Sequence, residues 1–470
     1  MISMMMLMKR IKKSTCMMCA MLIAAVLFAG CAAEGAGGAP TAGQSGATPA
    51  GQSGTPPAGQ SGAAPQAVGP DDNSSSGPDA AHSLHPCTPA IPAGFYSIEL
   101  LNDRYANIAF VDYAQKRQIF LCPRPECTHD TEACLSVLPM DEALAVPVIF
   151  SEMDQLFFLQ TGASQTAPPH LERAGLDGQD RKTIVEFPGN FTLWPHLYAD
   201  GGSLYLTATE FDAEYGAIGD SILQIDLTTG GYKVLYTYPQ AMDALTIEGG
   251  FGRELVLASY QIDPDEQLLL NYDFFNVDTC SFDPEKKMTL HPADTGSFWE
   301  GERYYEICYQ NEEIREVDYL TQETHVYSYA EIIHPSGAPE RGRYVAVFAE
   351  DRDLIRIEAP PSERDSPEEY IFYEFLLDTE TQEIRAFDLM KEYKDDPITV
   401  LAKDEREDLF LVYRDWKEVQ TIGENGVPVR IWSPQLAFIQ KDDYAKSIER
   451  YIPVVSEVYP DDLTRVRFFP

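Results

Sequence analysis

Basic residues are scarce in this chain. Its 470 residues hold 35 Lys and Arg against 74 Asp and Glu, a net charge of −39. No nucleic-acid partner is expected, because phosphate contacts need clustered cations. Direct adhesion to anionic lipid or anionic wall polymer is disfavoured by the same excess of negative charge. Helical periodicity is also scarce, and only Leu389–Tyr393 suggests a turn of helix. The chain has no His-Glu-x-x-His, no Gly-x-Ser-x-Gly and no P-loop, so zinc-protease, serine-hydrolase and NTPase chemistry all lack their signatures. Residues 32–80 have almost no large apolar side chain and cannot supply a core.

Residues 1–30 lack Asp and Glu altogether. They carry Lys9, Arg10, Lys12 and Lys13, then an apolar run from Met17 to Phe28. Basic region, apolar core and small-residue exit are the layout of an export signal. The run is shorter than the roughly 20 residues a membrane span needs. Its loss removes four positive charges and takes the chain from −39 to −43. The exit, Leu27-Phe28-Ala29-Gly30-Cys31, resembles the lipobox of bacterial lipoproteins, with Phe28 where that pattern usually has an aliphatic residue. The resemblance implies a signal peptide over 1–30 and lipidation of Cys31. It also implies a membrane partner through that lipid, on the outer face of the bacterial cytoplasmic membrane. Residues 31–87 then read as a disordered linker. Ala-Gly-Gln-Ser-Gly recurs at 42–46, 50–54 and 58–62, flexible through Gly and Ser and locally stiffened by Pro.

The remaining 383 residues, 88–470, read as all-β. Ser221–Tyr236 is the template: an apolar strand ending in Asp226, a Thr-Thr-Gly-Gly turn, and a returning strand. A carboxylate at a strand end accepts hydrogen bonds from turn amides. The device returns around Asp112, Asp177, Asp283, Asp318 and Asp378, and more weakly at Asp442 and Asp443. From Asp112 to Asp378 there are five steps of about 53 residues. Another short apolar strand precedes most copies: Leu156–Leu159, Leu204–Leu206, Leu255–Leu257, Arg303–Tyr305, Tyr344–Phe348 and Leu409–Tyr413. Several strands per unit of about 50 residues predict a β-propeller of four-stranded blades, because one blade cannot cover its own two faces. Seven blades are expected, with six or eight as alternatives and a pair of β-sandwiches as the rival architecture. Closure is expected to bring Phe95–Leu101 together with Ile452–Val458 and Val466–Phe469. The aspartates read as turn caps, since a repeat spreads equivalent residues around a ring.

One constellation carries chemistry. Cys122, Cys127, His129 and Cys134 follow the pattern C-x4-C-x-H-x4-C. Three thiols and an imidazole are the ligand set of a closed structural zinc site, with no open position for catalysis. The alternatives are a disulfide within the cluster, as in many exported proteins, or free thiols. Cys87, Cys280 and Cys308 also lie in this region, and six cysteines allow fifteen pairings. His82, His85 and Cys87 read as incidental. The run from Asp112 to Cys134 resembles the first-blade segment of a largely uncharacterised group of propeller-like lipoproteins from Gram-positive gut bacteria. The match lies in Cys122, Pro125, Cys127, His129 and Cys134. Leu176-Asp177-Gly178 is similar to the turn of TolB-like propeller repeats. These resemblances imply a location and a fold, not an activity.

The function expected is a non-catalytic binding or scaffolding module for an extracellular protein, peptide or glycan. Candidate contact residues are Trp194, Trp299, Trp416 and Trp432, each with core packing as the plainer reading. The alternative is an extracellular hydrolase or lyase acting on glycan or peptide. Its sign would be two carboxylates, or a carboxylate with His196 or His170, meeting at the channel mouth. Gly249-Gly250-Phe251-Gly252 reads as a turn. Asp263–Glu266 and Glu363–Glu369 are acidic loops without EF-hand spacing.

Overall fold

A computed structural model describes residues 83–100, 105–129, 133–139, 146–162, 168–214, 216–238, 242–264, 266–337, 341–360, 372–391, 396–422 and 428–458. The signal, Cys31, His82, Glu363–Glu369 and Val466–Phe469 lie outside the described residues, as does the side chain of Trp432.

The strands form seven sheets, the blades of a β-propeller. Blade 2 shows the plan, with an inner strand Val148–Glu152, then Gln155–Gln160, His170–Gly175 and an outer strand Lys182–Glu186, each antiparallel to the last. Blades 4, 5 and 6 repeat it without additions. The second strand of blade 6 is Leu354–Ala359, so Tyr344–Phe348 leads into the inner strand Ala346–Asp351 instead. Helix is limited, among the described residues, to Ala330–Ile333 and Lys441–Ala445. Of the expected helical turn Leu389–Tyr393, the described residues 389–391 are not helical, since Met390 bridges to Pro397, and the rest lies outside the described residues.

Seven apolar clusters follow one another around the ring, one at each blade interface. Period-two alternation explains them. In the second strand of blade 3, Leu204 and Leu206 face blade 2, while Tyr205 faces blade 4. In blade 5, Tyr304 joins the cluster with blade 4 and Tyr305 the cluster with blade 6. Both faces are thus apolar, and each blade is covered only by its neighbours. Gly249 and Gly250, expected in a turn, lie instead in the inner strand Asp243–Phe251 of blade 4, where close packing requires them, and only Gly252 is in the turn. A Cβ on Gly250 would lie 2.6 Å from the Tyr198 ring, and one on Gly249 would lie 3.0 Å from Trp299.

The hairpin caps are largely where the sequence puts them. Asp112, Asp177, Asp226, Asp318 and Asp378 each accept a bond of 2.8–3.0 Å from a turn amide. In blade 4 the cap is Asn276, which accepts from Asp278 and Thr279, and Asp283 lies in the outer strand Ser281–Leu290. In blade 7, Asp442 and Asp443 fall in the first turn of the helix Lys441–Ala445. Carboxylates suit that position because the amide end of a helix is electropositive.

Closure meets the expectation in part, because Val455–Ser456 joins the sheet that holds Gly94–Leu100. Gly94–Leu100 is already the second strand of blade 1, and Ile452–Pro453 is the outer strand of blade 7. The chain then runs on to add Val455–Ser456, in parallel, outside the four-residue outer strand Arg117–Phe120 of blade 1. Leu409, Leu411 and Phe438 of blade 7 pack on Phe95, Val111 and Tyr113 of blade 1.

Pairing also begins ahead of Thr88. The amide of Leu84 donates to Gly252 in blade 4, His85 and Pro86 pair with the inner edge of blade 3, and Thr88 bridges to Ser151 in blade 2. This lead-in therefore crosses three inner edges before it enters blade 1. His85 pairs with Glu152 at 2.9 Å, which raises the imidazole pKa.

At the interface of blades 6 and 7, Arg356 lies between Glu350 at 2.6 Å and Glu374 at 3.0 Å. All three side chains are nearly buried. Burial, offset in part by Arg356, pushes the Glu374 carboxyl up to about 7.

Candidate metal centre and ligand cleft

After its outer strand, blade 1 makes an excursion. Residues 121–136 leave the sheet and return as Val137–Pro139, which pairs with the first half of the third strand, Tyr105–Asp112. Both ends of the excursion are bonded to one residue, Ile108. Its amide donates to Ser136 and its carbonyl accepts from Leu121. Cys122, Cys127, His129 and Cys134 converge inside, with ligand atoms all within 4.8 Å of one another. A tetrahedral zinc with Zn–S of about 2.3 Å would need ligands roughly 3.7 Å apart, so the cluster has the size as well as the donors for a metal ion.

The surroundings suit such a centre. His129 has φ of 57°, a left-handed backbone that folds its ring back toward the cysteines. The ring stacks on Phe120, centroid to centroid 4.3 Å, and its Nδ1 lies 3.4 Å from Cys134 Sγ. Cys134 is buried, and burial pushes its thiol up to about 12. Its sulfur also meets Ser136 Oγ at 3.0 Å, and that hydroxyl donates to Asn107 Oδ1. Cys87, Cys122, Cys127, Cys134, Cys280 and Cys308 are all free thiols, so the disulfide alternative is not formed here. His85 and Cys87 lie with the lead-in at the inner edges of blades 2 and 3, away from the cluster.

A cleft of about 590 Å³ opens among the turns of blades 5, 6 and 7. Its lining is almost wholly charged. Arg303 pairs with Glu316 at 3.0 Å; Lys403 and Lys441 meet at Asp351, at 2.9 and 2.5 Å; Lys441 also pairs with Asp353. Burial would raise the Asp351 pKa, but the two lysines outweigh it and hold the carboxyl below its usual range. Arg352 is exposed on the wall and forms no ion pair among the described residues. His325 and Tyr327 stack on the opposite side. The sequence offers no sign of this cleft, because its walls come from turns that only the ring brings together.

His196 and Glu248 do meet. They lie on adjacent inner segments of blades 3 and 4, Nδ1 to Oε1 3.4 Å, and Nδ1 also lies 3.1 Å from the Ile247 carbonyl. The hydrogen bond to Glu248 raises the imidazole pKa against the effect of burial. His170 has no such partner among the described residues; its Nδ1 meets the Pro168 carbonyl.

Among the described residues, Trp194, Trp299 and Trp416 do not share one surface. Trp299 is 8% exposed and belongs to the core between blades 4 and 5, where Tyr304 and Tyr319 stack around it. Trp194 is half-buried and donates to Thr209. Trp416 stacks on Tyr413 where the long blade 7 hairpin leaves the sheet. Asp263 closes its own turn by accepting from the Gln267 amide.

The fold is therefore that of a β-propeller, and solved structures of such proteins are similar to it. One is an oligogalacturonate lyase in complex with manganese, at 12% identity and a TM-score of 0.42, over 76% of this chain and 89% of that one. Another is an oligogalacturonate lyase from Vibrio parahaemolyticus, at 10% and 0.42, over 75% and 91%. A third is an acylaminoacyl peptidase from Pyrococcus horikoshii, at 12% and 0.35, over 62% and 45%. The likeness is one of fold alone, and nothing about chemistry follows from it. No protein-family model matches the chain, and no curated protein matches it.

Proposed function

We propose that this protein is a lipid-anchored binding module on the outer face of a bacterial cytoplasmic membrane, tethered through Cys31. A neutral glycan is the ligand class that best suits the cleft of blades 5–7. The observation that carries this reading is the lining itself. Arg303 is paired with Glu316, and Lys403 and Lys441 with Asp351, so the cleft offers fixed donors beside fixed acceptors, with Arg352 left accessible. A sugar hydroxyl donates and accepts at once and suits such a wall. Arg352 and His325 supply the accessible donors. We further assign one structural zinc to Cys122, Cys127, His129 and Cys134, in keeping with the three-thiol, one-imidazole donor set.

The test is a titration of the purified protein with neutral, anionic and cationic oligosaccharides, followed by thermal shift. Neutral glycans are expected to raise the midpoint, and Arg352→Ala is expected to abolish the rise. Stabilisation that survives Arg352→Ala, or that only peptides produce, would overturn the assignment of cleft and ligand. A second reading, glycan or peptide cleavage, draws on the His196–Glu248 pair, in which the outward nitrogen of the imidazole would serve as an acid or base. Turnover lost in both His196→Asn and Glu248→Gln would favour it over simple binding.

A further inference from the structure

The metal loop and the closure strand share one short strand. Arg117–Phe120 has four residues. At one end, Phe120 stacks on the ligand His129, the Phe120 carbonyl accepts from the Cys122 amide, and Leu121 is bonded to Ile108. At the other, Val455 and Ser456 pair with Arg117 and Gln118. The Val455 and Glu457 amides donate to Lys116 and Gln118, Ser456 Oγ donates to Gln118 Oε1, and Arg117 pairs with Glu457. Gln118 is fully buried and donates its amide to Glu99. These contacts bring the last described residues of the chain back to its first blade.

We infer that the metal centre is the latch of the ring: an ion bound by the four ligands holds the outer strand of blade 1 in the position that the C-terminal strand needs. This rests on the assignment of a metal to the cluster. Among the described residues of 121–136, only Leu121, Cys134 and Ser136 are buried. Without the ion, the described part of the loop is tied to the sheet by its two bonds to Ile108 and by the Asn107 bonds to His129 and Ser136, together with local contacts. The strand before it has only four residues, and the parallel pair with Val455–Ser456 has two. Blades 2 to 6 carry no such added parallel strand among the described residues, so the latch concerns blade 1 alone.

The experiment is hydrogen exchange by mass spectrometry on the full-length protein, as purified, after chelation, and after zinc is restored. Metal content is measured on the same samples. Chelation is expected to speed exchange at 117–120 and 452–458 by about tenfold or more, with 313–328 of blade 5 unchanged and protection restored by zinc. Ser456→Ala is expected to speed exchange at 452–458 while one zinc per chain is retained. Protection of 452–458 that survives full removal of the metal would overturn the latch. So would a uniform rise across all blades, which would make the ion a requirement of the whole fold. A protein that binds no zinc under any condition would overturn the metal assignment itself, an outcome distinct from the other two.

Discussion

Glu374→Gln tests the buried triad of blade 6. The wild-type carboxyl is pushed up to about 7 from an ordinary 4.5, with burial as the largest cause. Between those two pH values the folded state holds the proton and the unfolded state does not. Stability from this group is therefore fully present below pH 4.5 and is lost as pH rises toward 7. A shift of that size corresponds to roughly 3 kcal/mol. The side chain is 2% exposed, so solvent screens little of it. Glutamine keeps the shape of the protonated acid and cannot ionise. The stability of the variant relative to wild type should therefore improve by about 3 kcal/mol between pH 4 and pH 8, most steeply from 4.5 to 7. Paired equilibrium urea unfolding at each pH reads the gap. Glu350 and Glu358 are raised by burial too, so both proteins keep some slope of their own. A gap that stays constant across that range would refute the reasoning.

Trp299→Ala should cost about 3–5 kcal/mol, as for other large buried aromatics, while Trp416→Ala at the base of the blade 7 hairpin should cost clearly less; urea midpoints of the two variants decide this. Gly250→Ala should destabilise by about 1–3 kcal/mol, because the new methyl group meets the Tyr198 ring and forces the inner strand of blade 4 to shift. Glu248→Gln should lower the pKa of His196, since the bond to that carboxylate is the main cause of its elevation and burial acts the other way; an NMR titration of the imidazole shows whether it moves.

Much of the architecture was legible because it rests on local chemistry repeated along the chain. Five of the seven expected turn positions hold an aspartate cap. The reading slipped in blade 4, where Asn276 caps by the same acceptor chemistry and Asp283 offered a decoy seven residues on. It slipped in blade 7, where the aspartates serve a helix start. The cysteine–histidine cluster was legible for the same reason, since all four residues lie within thirteen positions. His196 and Glu248 could be suspected only singly, because adjacency of inner strands 52 residues apart comes from the ring. The cleft was invisible for the same cause. Trp299 follows the plainer of its two readings, core packing, because an aromatic on a two-sided blade faces a neighbour whichever way it points.

The lead-in has a mechanical consequence. A pull on the chain ahead of Ser83 reaches the Leu84 bond to blade 4 first, then the two-residue pair with blade 3, then the bridge to blade 2. Bonds loaded in this order open one after another, as a zip does, and each needs only a small force. Tension from that end would thus be spent in steps at the inner edges of the ring, and blade 1 would feel it last.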